Sequence, residues 1–189
     1  MVDIFVLAHK SRKALVLPFL DKPTVWYSND YEFSEGWKPG IGLEHVTHNH
    51  LAAMRCFRGH QDLLGHVSNF PVLVVEDDAV PNMDDWRGVV ENAVPLLEEF
   101  DVVSLHGRNY DLSNNFTEHS KGCYVPKISS TWIVGSLAYL MKKETADKIR
   151  GQVYQGLPWD LLLYRTLKYC VIHPSPFNHD TREGSLIDT

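Results

Sequence analysis

The sequence lacks the features that mark secreted, disulfide-stapled or membrane-spanning proteins. Its 189 residues include only three cysteines, with no CxxC pair, so neither a disulfide framework nor a structural zinc site is indicated. No run of about 18 apolar residues exists, which argues against a membrane-spanning helix. The N-terminus carries Asp3 where a secretory signal would be positive. We therefore expect a soluble, unexported protein of the cytoplasm, or of the host cytoplasm if its source is a virus.

Three common catalytic motifs are also missing. No GxGxxG follows the first apolar run, so a Rossmann dinucleotide site is not indicated. The absence of GxxxxGK[ST] argues against a P-loop phosphotransferase. Without GxSxG, an α/β-hydrolase nucleophile has no support.

Negative charge is concentrated in one segment of the chain. The net charge is −6, yet residues 76–101 alone hold nine acids and one base, Arg87. The rest of the chain is therefore close to neutral. An acidic total usually argues against polyanionic partners, but here that argument is weak because a single segment causes it.

Apolar patterning predicts strands that alternate with helices, which indicates a single α/β domain over residues 1–189. Strands are expected at residues 2–8, 24–27, 70–75, 101–105, 124–126, 131–134 and 169–173. Helices are expected at residues 14–20, 48–66, 84–95, 143–149 and from residue 158 onward. Residues 107–121 are polar and are expected to form a loop. The pattern predicts a central, mostly parallel sheet flanked by helices, parallel in its N-terminal half.

The strongest local signal is a buried strand that ends in three consecutive carboxylates, Glu76, Asp77 and Asp78. Like charges this close raise one another's pKa or recruit a positive partner. Hard divalent cations such as Mg²⁺ or Mn²⁺ bind through carboxylates and substrate phosphates, and ligands collect at strand ends in open α/β sheets. The pattern favours a metal site, while a cluster of acids preceding a surface helix stays open as an alternative.

Four segments, in order along the chain, resemble glycosyltransferase family 25. They are residues 58–78 with RGH and VLVVEDD, 132–140 (WIVGSLAYL), 158–162 (PWDLL) and 184–188 (GSLID). The resemblance implies the GT-A fold, with a donor- and metal-binding half at about 1–105 and an acceptor-side half at about 122–189. It also implies transfer of a sugar, with inversion, from a nucleotide-sugar to a hydroxyl acceptor, with Mn²⁺ or Mg²⁺ as cofactor and a UDP-sugar as the favoured donor.

The resemblance also implies site residues. Asp160 is expected to be the general base, although it could simply cap its helix. The expected metal ligands are Glu76, Asp78 and His179. The expected donor-binding residues are Ala8, His9, Arg12, Asp30, Arg58, His60 and Asp77. The expected acceptor-side residues are Gly135, Ser136 and Trp159. Ordinary structural roles remain open for the histidines, for Asp30 as a turn residue and for the aromatic residues as core.

Two other classes of function stay open. The same acids could serve a metal-dependent phosphoesterase or nuclease, for which His106, Asp111 and His179 are the obvious reserve ligands. The chain could also be a catalytically inactive module that binds a carbohydrate or nucleotide. The acceptor of a transferase could be a surface glycan, a protein side chain or, less favoured, a modified nucleobase of DNA.

Overall fold

Ten strands and four α-helices are formed within the residues described by the computed structural model, which are 2–10, 17–43, 49–106, 115–127 and 135–180. The strands are β1 (Asp3–Ala8), β2 (Thr24–Tyr27), β3 (Val72–Glu76), β4 (Ala79–Pro81), β5 (Val102–Ser104), β6 (Phe116–Ser120), β7 (Cys123–Pro126), β8 (Ala138–Met141), β9 (Tyr169–Ile172) and β10 (Phe177–His179). The helices are α1 (His50–His66), α2 (Trp86–Ala93), α3 (Lys143–Ile149) and α4 (Trp159–Thr166). Two short 3-10 segments lie at Leu17–Phe19 and Val94–Glu98.

Eight of the strands form one mixed sheet in the order β2-β1-β3-β8-β5-β9-β7-β6. β1 is parallel to both β2 and β3, which confirms the parallel pairing predicted for the N-terminal half. β8 lies between β3 and β5 and is antiparallel to both. β9 is parallel to β5, whereas β7 is antiparallel to both β9 and β6. β4 and β10 form a separate antiparallel ribbon.

Each face of the large sheet packs against its own set of apolar side chains. One core contains residues of α1, α3 and α4, and the other contains residues of α2 and of the second 3-10 segment. Successive side chains of a strand point to opposite faces. Accordingly, Val72 and Val74 lie in the core that includes α1, while Leu73 and Val75 lie in the opposite core. The fold is therefore a mixed α/β domain with helices on both faces of a central sheet.

Two sequence-based predictions need correction. Residues 116–120, predicted as part of a loop, form the edge strand β6. Only Phe116 of that strand is buried and its other four side chains are exposed, so the strand shows no apolar alternation. The helix predicted at 14–20 is a 3-10 turn at Leu17–Phe19, and its earlier residues lie outside those described, as does the strand predicted at 131–134.

The carboxyl ends of β1, β3 and β5 meet at one edge of the sheet, because these three strands run in the same direction. β8 runs the other way, so the residues that precede it reach the same edge. The ribbon of β4 and β10 follows directly from the end of β3. Open α/β sheets bind ligands outside this edge. Among the described residues, no helix is both long and apolar enough to cross a membrane.

Candidate functional site

The acidic triplet at the end of β3 does not converge on one point, because its three side chains bond to different partners. Glu76 continues the alternation of Val72 and Val74 and faces α1, where its Oε1 lies 3.3 Å from His60 Nε2. Asp77 is buried, and its Oδ2 accepts a hydrogen bond from the backbone N–H of His9 at 2.8 Å. The Asp77 carboxylate therefore ties the end of β1 to the turn after β3.

Glu76 is held as an ionised carboxylate. Its Oε1 accepts a hydrogen bond from Ser136 Oγ at 2.5 Å in addition to the contact with His60. Burial raises the pKa of Glu76, but the hydrogen bonds from His60 and Ser136 and the charge of His60 outweigh it. The net pKa of Glu76 lies below its ordinary value. Ser136, predicted on the acceptor side, thus contacts the carboxylate predicted to bind metal.

His60 is fully buried between α1 and the sheet. Its Nδ1 lies 2.9 Å from the Tyr139 hydroxyl, and its ring stacks on Trp159 with centroids 4.9 Å apart and an interplanar angle of 5°. The ring therefore uses both nitrogens: Nε2–H donates to Glu76, and Nδ1 shares a hydrogen bond with the Tyr139 hydroxyl. Trp159 is 1% exposed, so its indole contacts an imidazole in the core and not an open acceptor surface.

Asp78 pairs with His179 across the small ribbon. Asp78 Oδ2 lies 2.9 Å from His179 Nε2, and the Asp78 carbonyl accepts from the backbone N–H of Asp180 at 2.8 Å. The ribbon brings these residues together because His179 pairs with Ala79, the residue after Asp78. The His179 side chain is 26% exposed. Asp78 and His179 are therefore the two predicted metal ligands that the structure places together.

Asp160 lies at the start of α4 and accepts two backbone hydrogen bonds. Its Oδ1 accepts from Leu161 N–H at 2.8 Å, and its Oδ2 accepts from Gly135 N–H at 3.0 Å. Burial raises the pKa of Asp160, the bond from Leu161 lowers it, and the charge of Glu76 raises it again; the net pKa is above its ordinary value. A carboxylate with a raised pKa is a better proton acceptor than a surface carboxylate.

Cys56 lies one turn before His60 on α1 and close to Glu76. Burial raises the pKa of the Cys56 thiol well above its ordinary value, and the negative charge of four carboxylates adds to the rise. These carboxylates belong to Glu76, Asp160, Asp78 and Asp77. Asp160 accepts from Gly135, and the next residue, Ser136, donates to Glu76, so Asp160 lies at the same edge of the sheet as the end of β3.

The 2.9 Å between Asp78 Oδ2 and His179 Nε2 is a hydrogen-bond distance. A cation held by both atoms would take the place of that hydrogen bond. The full predicted set of Glu76, Asp78 and His179 is not assembled. Among the described residues, the group of three that comes within metal-ligand reach is Cys56, His60 and Glu76.

The other predicted donor-binding residues lie in varied surroundings. Ala8 is 1% exposed and packs in the core opposite α1. Asp30 is exposed in the segment after β2. Arg58 donates to Gln61 at 3.2 Å, and Gln61 donates to two backbone carbonyls at the end of α3. Arg58 therefore lies beside α3, and Arg12 falls outside the described residues.

Sequence reasoning gave no site role to Cys56 or Tyr164. Cys56 belongs to no CxxC pair, although its spacing of four from His60 places both on one helix face. The single proton of the Tyr164 hydroxyl is shared between Ser104 Oγ at 3.1 Å and the Gly135 carbonyl at 3.2 Å, so this hydroxyl fixes the segment that contacts Asp160. Burial raises the pKa of Tyr164 well above its ordinary value. No local motif marks such a contact between distant segments.

Comparisons with known proteins leave the family open. No family model matches the sequence, and no curated protein matches it. Two solved structures similar to this chain are A197 from STIV and HddC from Yersinia pseudotuberculosis. A197 shares 12% identity at a TM-score of 0.48, with 94% of this chain and 83% of that chain covered. HddC shares 12% identity at a TM-score of 0.45, with 91% and 90% covered. Likeness at this level says nothing about ligand or activity.

Proposed function

We propose that the protein is a metal-dependent glycosyltransferase of the GT-A fold that moves a sugar from a nucleotide-sugar to a hydroxyl acceptor. The observation that carries the proposal is the arrangement at the carboxyl edge of the sheet. There, Asp78 and His179 form a pair just after β3, and Asp160, a carboxylate of raised pKa, is linked to the end of the same strand through Gly135 and Ser136. The ordered resemblance to glycosyltransferase family 25, whose segments include Asp78 and Asp160, also supports the proposal.

The donor set favours Mn²⁺ as the ion that Asp78 and His179 would hold. A carboxylate and an imidazole suit Mn²⁺ better than Mg²⁺, which prefers oxygen ligands and retains water. When bound, the ion would offset the negative charge that develops on the departing nucleoside diphosphate. Asp78 supplies the charged ligand, and the β4–β10 ribbon fixes its separation from His179.

Asp160 is proposed as the general base. The acceptor hydroxyl loses its proton to the Asp160 carboxylate as its oxygen bonds to the anomeric carbon of the sugar. The bond from that carbon to the diphosphate oxygen breaks, and its electron pair leaves with the nucleoside diphosphate. The backbone N–H groups of Gly135 and Leu161 orient the carboxylate for this transfer. A positioned base of this kind contributes about 10²–10⁴-fold in rate.

The proposal is tested by measuring the thermal stability of the purified protein against a panel of nucleotide-sugars, with and without Mn²⁺. A true donor raises the apparent melting temperature because it binds only the folded state. Sugar transfer or donor hydrolysis is then followed by chromatography. If no nucleotide-sugar shows Mn²⁺-dependent binding, the proposal fails. Release of phosphate from simple phosphate esters without such binding would favour a phosphoesterase.

Two variants separate binding from chemistry. Asp78→Asn should abolish Mn²⁺-dependent donor binding. Asp160→Asn should retain donor binding but lower the rate by about 10²–10⁴-fold. Asp84→Asn is the matched control, because Asp84 is an exposed acid of the same acidic segment. Equal losses in the Asp84 and Asp78 variants would show that overall charge, and not the Asp78–His179 pair, determines binding.

A further inference from the structure

A cysteine, a histidine and a glutamate meet where α1 packs on the end of β3. Cys56 and His60 are four residues apart on α1 and therefore lie on the same face of the helix. Glu76 is the last residue of β3 and faces them. We propose that these three side chains form a binding site for a thiophilic divalent ion of the zinc class, separate from the Asp78–His179 pair and independent of the proposed transferase activity.

The spacing of the three side chains suits a tetrahedral ion. One ligand atom from each residue lies within 4.8 Å of the other two. Bonds of about 2.0–2.3 Å to zinc place tetrahedral ligands roughly 3.3–3.8 Å apart. Closing the site therefore needs side-chain shifts of about 1 Å. Rotation about the side-chain bonds of Cys56 and Glu76 can supply them, since a quarter of the Glu76 side chain is exposed and not packed.

The chemistry of the donors selects the ion. A sulfur, an imidazole nitrogen and a carboxylate oxygen together are ligands of Zn²⁺, whereas Mg²⁺ and Ca²⁺ prefer oxygen alone. Binding replaces the thiol proton of Cys56 with the ion and releases that proton to solvent. The Asp78–His179 pair contains no sulfur, so an ion bound there has no thiolate ligand. The two sites are therefore distinguished by the thiolate that only Cys56 supplies.

Neighbouring side chains already orient two of the three ligands, His60 and Glu76. Tyr139 lies 2.9 Å from His60 Nδ1, so Nδ1–H can donate to the hydroxyl while the Nε2 lone pair faces the ion. Trp159 stacks on the imidazole and fixes the plane of the ring. Ser136 donates to Glu76 Oε1 and leaves the second carboxylate oxygen for the ion. Partners of this kind around bound zinc are typically worth 10–100-fold in affinity.

Three protein ligands leave a fourth position for water or a small ligand, as in zinc sites that are not purely structural. An ion there would link α1 to β3 by metal–ligand bonds in place of the present contact between His60 and Glu76.

The experiment titrates metal-free, full-length protein with Co²⁺ and follows its absorption spectrum. Cobalt bound by a thiolate gives a charge-transfer band in the near ultraviolet, which a site of oxygen and nitrogen ligands does not give. We expect this band to saturate at one Co²⁺ per chain and to disappear when Zn²⁺ is added. Absence of the band at saturating Co²⁺ would overturn the proposal, whatever the protein does with nucleotide-sugars.

Variants identify the ligands. Cys56→Ala should lose the band, while Cys123→Ala, a buried free cysteine in β7, should keep it. Tyr139→Phe keeps the shape of the core and should weaken Zn²⁺ binding by about 10–100-fold. Asp78→Asn should leave the band intact. Loss of the band in Asp78→Asn, or its survival in Cys56→Ala, would place the ion elsewhere and refute the site. The wild-type spectrum and the Tyr139→Phe titration decide the question even if Cys56→Ala fails to fold.

Discussion

Glu76→Gln tests whether the buried Glu76 carboxylate stabilises the fold as an anion. The substitution keeps the size of the side chain and an oxygen that can accept from Ser136, but it removes the charge facing His60. Hydrogen bonds to a charged group contribute about 1.5–3 kcal/mol, against about 0.5–1.5 kcal/mol for neutral ones. We therefore expect the free energy of unfolding at pH 7 to fall by about 1–2 kcal/mol. For a domain of this size the melting temperature should drop by about 2–8 °C.

The pH dependence of this loss follows from the direction of the Glu76 pKa shift. Because the pKa of Glu76 in the folded protein lies below its ordinary value of 4.5, the ionised side chain favours folding. That contribution is fully present above pH 4.5 and disappears as the pH falls through the lower, folded-state pKa. The stability gap between wild type and Glu76→Gln should therefore be largest near neutral pH and shrink in acid.

The measurement is urea unfolding of both proteins at several pH values, with a chelator present so that metal binding does not contribute. If the free energy of unfolding falls with urea concentration at the same slope in both proteins and only the midpoints differ, then only stability has changed. Ser136→Ala serves as a companion, because it removes one of the hydrogen bonds and leaves the charge. A Glu76→Gln variant as stable as wild type at pH 7, with the same pH dependence, would refute the argument that the anion stabilises the fold.

Three further substitutions test the packing around the site. Gly135→Ala should lower the free energy of unfolding, measured in urea, by about 1–3 kcal/mol. Gly135 has φ +128°, and the Cβ of alanine there would lie 3.3 Å from His106. An unchanged free energy of unfolding would contradict the argument that alanine is strained at this position. Gln61→Leu should cost about 2–3 kcal/mol by the same assay, since buried Gln61 donates two hydrogen bonds at the end of α3. Arg58→Ala, which leaves both of these bonds in place, is its control. Tyr164→Phe should lower the melting temperature by about 2–8 °C by removing the hydroxyl that donates to Ser104; an unchanged value would mean the hydroxyl is dispensable.

The fold was predictable where apolar residues followed a clear period. The prediction of a helix at 48–66 is confirmed by α1, and the helix expected at 143–149 has the bounds of α3. The position of β8 was not predictable, because a buried four-residue strand carries no sign of its neighbours or direction. β6 was missed because its exposed edge is polar. Local patterns specify elements, whereas sheet order depends on contacts between distant residues.

In the candidate site, too, the sequence indicated the residues but not their contacts. The carboxylates at the end of β3 were predicted from their position in the sequence, but strand alternation determines what each of them contacts. Glu76 faces α1 and Asp78 faces His179, so residues two apart in sequence end in different surroundings. The sequence alone did not indicate a site at Cys56, because a single cysteine in a helix forms no motif. The group that includes Cys56 also needs Glu76, which lies on another element.

The pairing of β4 with β10 has a consequence for the order in which the molecule is made. Asp78 and His179 are separated by 101 positions, so at ordinary translation rates the ribosome adds the histidine roughly 5–20 s after the aspartate. Throughout that interval β1, β2 and β3 have already been synthesised, but Asp78 has no contact with His179, which has not yet been added. A nascent chain therefore cannot form the contact between Asp78 and His179, and this contact becomes possible only when β10 emerges.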